Sequence, residues 1–310
     1  MLLTATRSRR IFGRFGATSG FACAGLAHAH PLDAVAPAAS WPGWSFEPWV
    51  VACLLVSATL YAVGMAQLWR RAGPSGRAAH ARQSIAFVAA WLATVAALVS
   101  PLDRLGSSLF SAHMLQHEVL MVVAAPLFVL ARPLGAWAWA LPMSWRRGLG
   151  HFFHRPAWRL PWLIVTGSMA AWAIHAATLW LWHIPAWFEA ALANEAVHAL
   201  QHASFLVGAL VYWWSVIAIG ARRPRGAAML SLFTTMVHTG ALGALLTLSP
   251  VAWYPAYAGT TLAFGLDPLE DQQLGGLVMW IPAGLAYVAC GLASALQWLD
   301  RVPPSRLANG

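Results

Sequence analysis

After residue 47 the chain alternates between long apolar runs and short polar connections. Seven runs approach or exceed the roughly 20 mostly apolar residues that a membrane-spanning helix needs: 48–69, 83–100, 111–131, 162–183, 198–219, 228–248 and 277–296. Backbone surrounded by lipid must satisfy its hydrogen bonds within the segment, so an open sheet is excluded. The pattern predicts an all-α fold, a polytopic membrane bundle of seven transmembrane helices over residues 48–300.

Charge between the runs alternates as well. Arg70, Arg71, Arg77 and Arg82 follow run 1; Arg132, Arg146, Arg147, Arg155 and Arg159 follow run 3; Arg222, Arg223 and Arg225 follow run 5; Arg301 and Arg306 follow run 7. The other connections hold Arg104 with Asp103, Glu189, Glu195, Asp267, Glu270 and Asp271. Basic residues mark the cytoplasmic side. The expected placement is a bacterial inner membrane, with the mature amino end periplasmic and the 301–310 tail cytoplasmic.

The first 29 residues read as a signal peptide, followed by a periplasmic segment over 30–47. Arg7, Arg9, Arg10 and Arg14 precede a short, weakly apolar stretch, and Ala27-His28-Ala29 fits a small-x-small cleavage site. Cleavage there would expose His28 or His30 as a terminal copper ligand; a cleavage site that happens to contain His is the simpler reading.

Composition agrees with the membrane reading. Hydrophobic residues make up 59% and charged residues 9%, where a soluble domain carries about 25% charged. All 19 basic residues are Arg, which fits the coding bias of a GC-rich genome. The net charge of +9 is spread over membrane-flanking connections, which argues against a nucleic-acid partner. Three cysteines make no disulfide framework. The 19 Trp fit the aromatic belts of a bilayer protein.

The histidines change the picture. His80, His151 and His154 lie in basic connections and read as surface residues. His113, His117, His175, His183, His198, His202 and His238 lie within or at the ends of runs. On the expected topology none is in the inner leaflet. His113 and His117 are four apart and share a helix face, as do His198 and His202. Both pairs fit H-x-L-Q-H and start helices that run inward, which suggests a diverged repeat. An i, i+4 pair can put two nitrogens on one metal ion. Met114, Met121 and Met236 add thioethers, and sulfur with imidazole suits Cu(I). The expected arrangement brings both pairs together near the periplasmic surface, with His175 and His238 as a deeper shell. For any one of these residues the plain alternative is an interhelical hydrogen bond for His or packing for Met.

Two acids accompany this layer. Glu118 lies inside run 3 and could pair with Arg104, support a His ring or carry protons. Asp271 opens the stretch Asp271-Gln-Gln-Leu-Gly-Gly-Leu-Val-Met-Trp280, whose Gly275 and Gly276 permit close helix approach.

Ser100-Pro-Leu-Asp103, His113-Met-Leu-Gln-His117 with Ala125-Pro126-Leu127, and the Asp271–Trp280 stretch together resemble the CtaG family of integral membrane proteins. The resemblance covers most of residues 48–300. It implies a non-enzymatic assembly factor for caa-type cytochrome c oxidase, acting in copper supply, with oxidase subunits or other copper chaperones as partners. Two alternatives come from the residues themselves. One is a single-haem electron-transfer protein with His117 and His202 as axial ligands. The other is a copper or proton transporter, which would want polar groups continuing into the inner half.

Overall fold

A computed structural model describes residues 42–218 and 225–299. The expected signal peptide, His28, His30 and the 301–310 tail lie outside the described residues. Twelve helices are used below: α1 Pro48–Arg71, α2 Pro74–Leu98, α3 Pro101–Gly106, α4 Phe110–Ala131, α5 Pro133–Ala140, α6 Met143–His154, α7 Pro156–Val165, α8 Ser168–Trp182, α9 Pro185–Ala193, α10 Glu195–Ile217, α11 Arg225–Leu248 and α12 Pro268–Leu299. No strand is present among the described residues.

Local chemistry starts several of these helices. Proline stands in the first turn of α1, α2, α3, α5, α7 and α9, where its missing N–H goes unmissed. Ser100 caps α3 by accepting from the Leu102 amide at 3.2 Å, and Asn194 caps α10 by accepting from Val197 at 3.1 Å.

The protein is a polytopic helical membrane protein. Helices α1, α2, α4, α10, α11 and α12 are each long and apolar enough to cross a membrane. The fourth expected span is not one straight helix. It is the pair α7 and α8, bent by 67°, and with it the spans number up to seven. Thr166 and Gly167 make the break: α7 closes with the Gly167 amide on the Ile164 carbonyl, and Gly167 takes an extended conformation that opens α8. Large apolar side chains face outward along the spans, including Ile85, Val88, Phe233, Leu245 and Leu285. In water this would be an aggregation surface; in lipid it is the solvated face.

Helix α4 winds as a wider π-helix over Val119–Ala124. Pro126 explains it. Proline offers no N–H and its ring crowds the carbonyl four residues back. The Ala125 amide therefore bonds Leu120, five residues back. That frees the Met121 carbonyl, which accepts from the Trp213 indole at 2.8 Å. Other indoles also tie helices together: Trp91 donates to Leu54, Trp137 to Ser57 and Trp182 to Ser204. These Trp serve interhelical bonding, beyond the belt role that composition suggests.

Helices α11 and α12 approach closely through glycine. A methyl at Gly243 would sit 2.8 Å from the Gly276 carbonyl, and one at Gly276 would meet the Gly243 carbonyl at 2.7 Å. The main core lies among α4, α8, α10, α11 and α12, and a smaller one joins α1, α2 and α5 around Tyr61 and Phe87. Chain order puts α3, α9 and the 249–267 connection at one end of the bundle. Arg70, Arg71, Arg146 and Arg147 lie at the other, where Arg71 and Arg146 flank the Trp139 ring at 4.5 and 3.9 Å.

Candidate metal centre

The first turns of α4 and α10 set the site. Asp271, on α12 and fully buried, reaches across to the start of α4. Its carboxylate accepts from the Phe110 amide at 2.6 Å, the Ser111 amide at 3.1 Å and the Ser111 hydroxyl. A carboxylate at a helix N-terminus satisfies amides that have no intrahelical partner and offsets the positive end of the helix dipole. Asp271 thus fixes the helix that carries His113 and His117, and it bonds no imidazole itself.

The two i, i+4 pairs converge. Ring centroids of His113 and His117 are 4.5 Å apart, those of His117 and His202 5.2 Å, and those of His113 and His202 5.6 Å. His198 joins at 4.2 Å from His202 and 5.2 Å from His113. One nitrogen each from His113, His117 and His202 lies within 4.8 Å of the others. All three rings are buried, with His113 1%, His117 2% and His202 7% exposed.

Their hydrogen bonding separates the rings. His113 has the Gly106 carbonyl 3.3 Å from Nδ1 and the Gln201 side-chain oxygen 3.2 Å from Nε2; both oxygens are acceptors, so the neutral ring donates to one of them and keeps a lone pair on its other nitrogen. His117 has no hydrogen-bond partner on either nitrogen, and Nε2 of His202 and of His198 also has none. Each buried polar atom left so costs about 1–3 kcal/mol. Such a cost is tolerated where a ligand, ion or water takes the lone pair.

The other expected residues fall differently. His183 is buried at the end of α8, 6.3 Å from His117 by centroids. Its Nδ1 meets the Leu179 carbonyl at 2.7 Å and its Nε2 the Met114 sulfur at 3.4 Å. Met114 is therefore beside the imidazoles, as a partner of His183. Met121 and Met236 pack in or against the apolar core, and neither sulfur bonds an imidazole among the described residues. His175 and His238, expected as a deeper shell, meet each other with centroids 5.9 Å apart and form a pair of their own. Glu118 is half-buried and its Oε2 has no hydrogen-bond partner, so that oxygen is taken by neither Arg104 nor an imidazole. His151 and His154 are exposed and His80 half-buried, as surface residues should be.

Several residues of the site carry no sequence signal. Phe188 of α9 packs 5.0 Å from His113, and Phe205 packs 4.3 Å from His117. Tyr254 and Tyr257 cover the end of the cluster: their hydroxyls donate to the His183 and Gly106 carbonyls at 2.9 Å each, and both tyrosines stay protonated because burial pushes their hydroxyls well up. The paired motifs also differ inside. Gln201 turns to His113, whereas Gln116 turns away to the Ala97 carbonyl at 2.8 Å and Asp103 at 3.0 Å.

His198 and His202 also line a largely apolar cavity of about 520 Å³ between α1, α2, α4, α5 and α10, with Glu47, Asp103 and Glu195 among its lining residues. Glu47, just before α1, is held up to about 7, first by its hydrogen bond with the Glu195 carboxyl, then by burial and like charge.

Fold and site together define a membrane-embedded helical bundle with a buried imidazole cluster at one end. The family model for the cytochrome c oxidase caa3 assembly factor, Caa3_CtaG, matches residues 59–301, and the chain belongs to this family. It is 29% identical over 282 residues to the uncharacterized protein Mb0105 of Mycobacterium bovis, covering 85% of this chain and 40% of that one. It is 27% identical over 274 residues to the uncharacterized protein ML1998 of Mycobacterium leprae, covering 82% and 39%. The chain thus spans about two fifths of the length of these relatives. No solved structure matches it.

Proposed function

We propose that this protein acts in the maturation of a caa3-type cytochrome c oxidase, as a non-enzymatic factor that binds Cu(I) at the periplasmic end of its bundle and passes it on. His113, His117 and His202 would hold the ion, with His198 beside them to receive or release it. The observation that carries the reading is the convergence of three buried imidazoles from two helices, two of them with unpartnered nitrogens. An ion about 2 Å from each of three nitrogens puts those nitrogens about 3.5 Å apart. The observed spacing, within 4.8 Å, closes to that by small ring movements. Neutral imidazoles without a carboxylate suit copper or zinc and disfavour magnesium and calcium. The bilayer favours the monovalent ion, whose charge costs least to desolvate. The Arg-rich connections at the opposite end support a periplasmic placement for the cluster. Oxidase subunits or other copper chaperones would be the partners.

The haem alternative fits less well. Two axial imidazoles on one iron, each nitrogen about 2 Å from it, need centroids about 6 Å apart with a macrocycle between them. His117 and His202 are at 5.2 Å, and His113 stands within 5.6 Å of both.

Replacing His117 and His202 together by Ala tests the proposal. The variant should insert and remain monodisperse, lose the copper bound at this cluster, and leave cells deficient in caa3 oxidase activity, a deficiency that excess copper partly relieves. Normal copper content at the cluster together with normal oxidase would refute it.

A further inference from the structure

A second pair of imidazoles lies apart from the first group. His175 is on α8 and His238 on α11. His175 is eight residues before His183, hence about 12 Å further into the bundle. It has no exposed surface. Neither Nδ1 nor Nε2 has a hydrogen-bond partner on either ring. Thr235, one turn before His238, is also fully buried. Tyr212 packs on His175 at 4.8 Å and Trp172 on His238 at 5.6 Å.

A neutral imidazole has one donor and one acceptor. The simplest solution would be a bond between the two rings. With a nitrogen about 1.1 Å from its ring centre and a bond of about 3 Å, that arrangement brings the centroids to about 5.2 Å or less. An ion held in line at about 2 Å from each nitrogen places them about 6 Å apart. The observed separation is 5.9 Å. Two nitrogen ligands and no carboxylate leave zinc short of its four. Oxygen-seeking cations find no carboxylate either. A monovalent d¹⁰ ion accepts two imidazoles and carries the smallest charge into the bundle.

We propose that His175 and His238 form a second, separate Cu(I) site, two-coordinate and deeper than the three-histidine cluster. The proposal goes beyond the function above and does not depend on it. The test uses the full chain purified anaerobically in detergent and loaded with Cu(I) in competition with a coloured Cu(I) chelator. Wild type should retain two ions per chain. His117→Ala with His202→Ala should retain one, and X-ray absorption should show it bound by two nitrogens with the edge of two-coordinate Cu(I). Adding His175→Gln should remove that ion as well. Absorption on the unsubstituted pair keeps the test independent of how well His175→Gln folds. The proposal is overturned if the His117/His202 variant retains no copper, if its ion has three or more protein ligands, or if His175→Gln leaves it in place. Failure of the cluster reading looks different: wild type would hold one ion, untouched by His117/His202 substitution and lost with His175→Gln.

Discussion

Asp271 shows how much one side chain sets here. It takes three hydrogen bonds at the start of α4 with no exposed surface. Its replacement by Ala strands two amides and a hydroxyl, at a cost of about 1–3 kcal/mol or more for a charge-assisted group. Asp271→Ala should lower the thermal midpoint in detergent and weaken Cu(I) retention, because His113 and His117 stand on that helix; an unchanged midpoint would refute the capping role. The histidines were legible in the sequence because four-residue spacing fixes a shared face whatever the fold. The partners of those histidines were not. Gln116 and Gln201 occupy the same place in one motif yet face opposite ways, since each amide follows whichever helix packs against it. The same limit applies to Phe188, which reads as an ordinary apolar residue until α9 folds it onto His113.

At the level of elements, length and hydropathy located the spans, and the structure differs from them where backbone chemistry intervenes. The fourth span bends at Thr166–Gly167, a break that a count of apolar residues cannot register. Pro126 was visible, but its result, a π-helix with a freed Met121 carbonyl, depends on the Trp213 indole from another helix. Trp213→Phe keeps the apolar bulk and removes the donor. It should cost about 1–2 kcal/mol through the buried carbonyl left without a partner, read as a lower thermal midpoint. Trp213→Phe with Pro126→Ala should recover part of that loss, because a regular α-turn returns an amide to Met121. His175 and His238 are expected from the sequence as a deeper shell; that the two rings meet each other is not legible there, since depth along a helix says nothing about which neighbour a ring meets.

For the whole molecule, the arrangement concentrates acids beside the histidine end and basic residues at the other. Glu47 holds its proton up to about 7 beside Glu195, above its ordinary value of 4.5. The folded state therefore binds more protons than the unfolded state between those values. The stability this contributes is complete below 4.5 and is lost as pH rises through about 7. The thermal midpoint in detergent should fall between about pH 5 and pH 8, and Glu47→Gln, which stays neutral, should flatten the fall; identical profiles would refute the coupling.

The cover over the cluster has a consequence for rates. Phe110, Phe188, Tyr254 and Tyr257 are each exposed by 2% or less, as are His113, His117 and His183. The rings with remaining exposure are His202 and His198, on the flank shared with Glu47, Asp103 and Glu195. If the cluster holds an ion as proposed, that flank is where, among the described residues, the imidazoles meet the cavity. Loading and unloading would then share a route, so a partner docked over it would exclude other acceptors, and selectivity would rest on who occupies the threshold as well as on how tightly the contents are held.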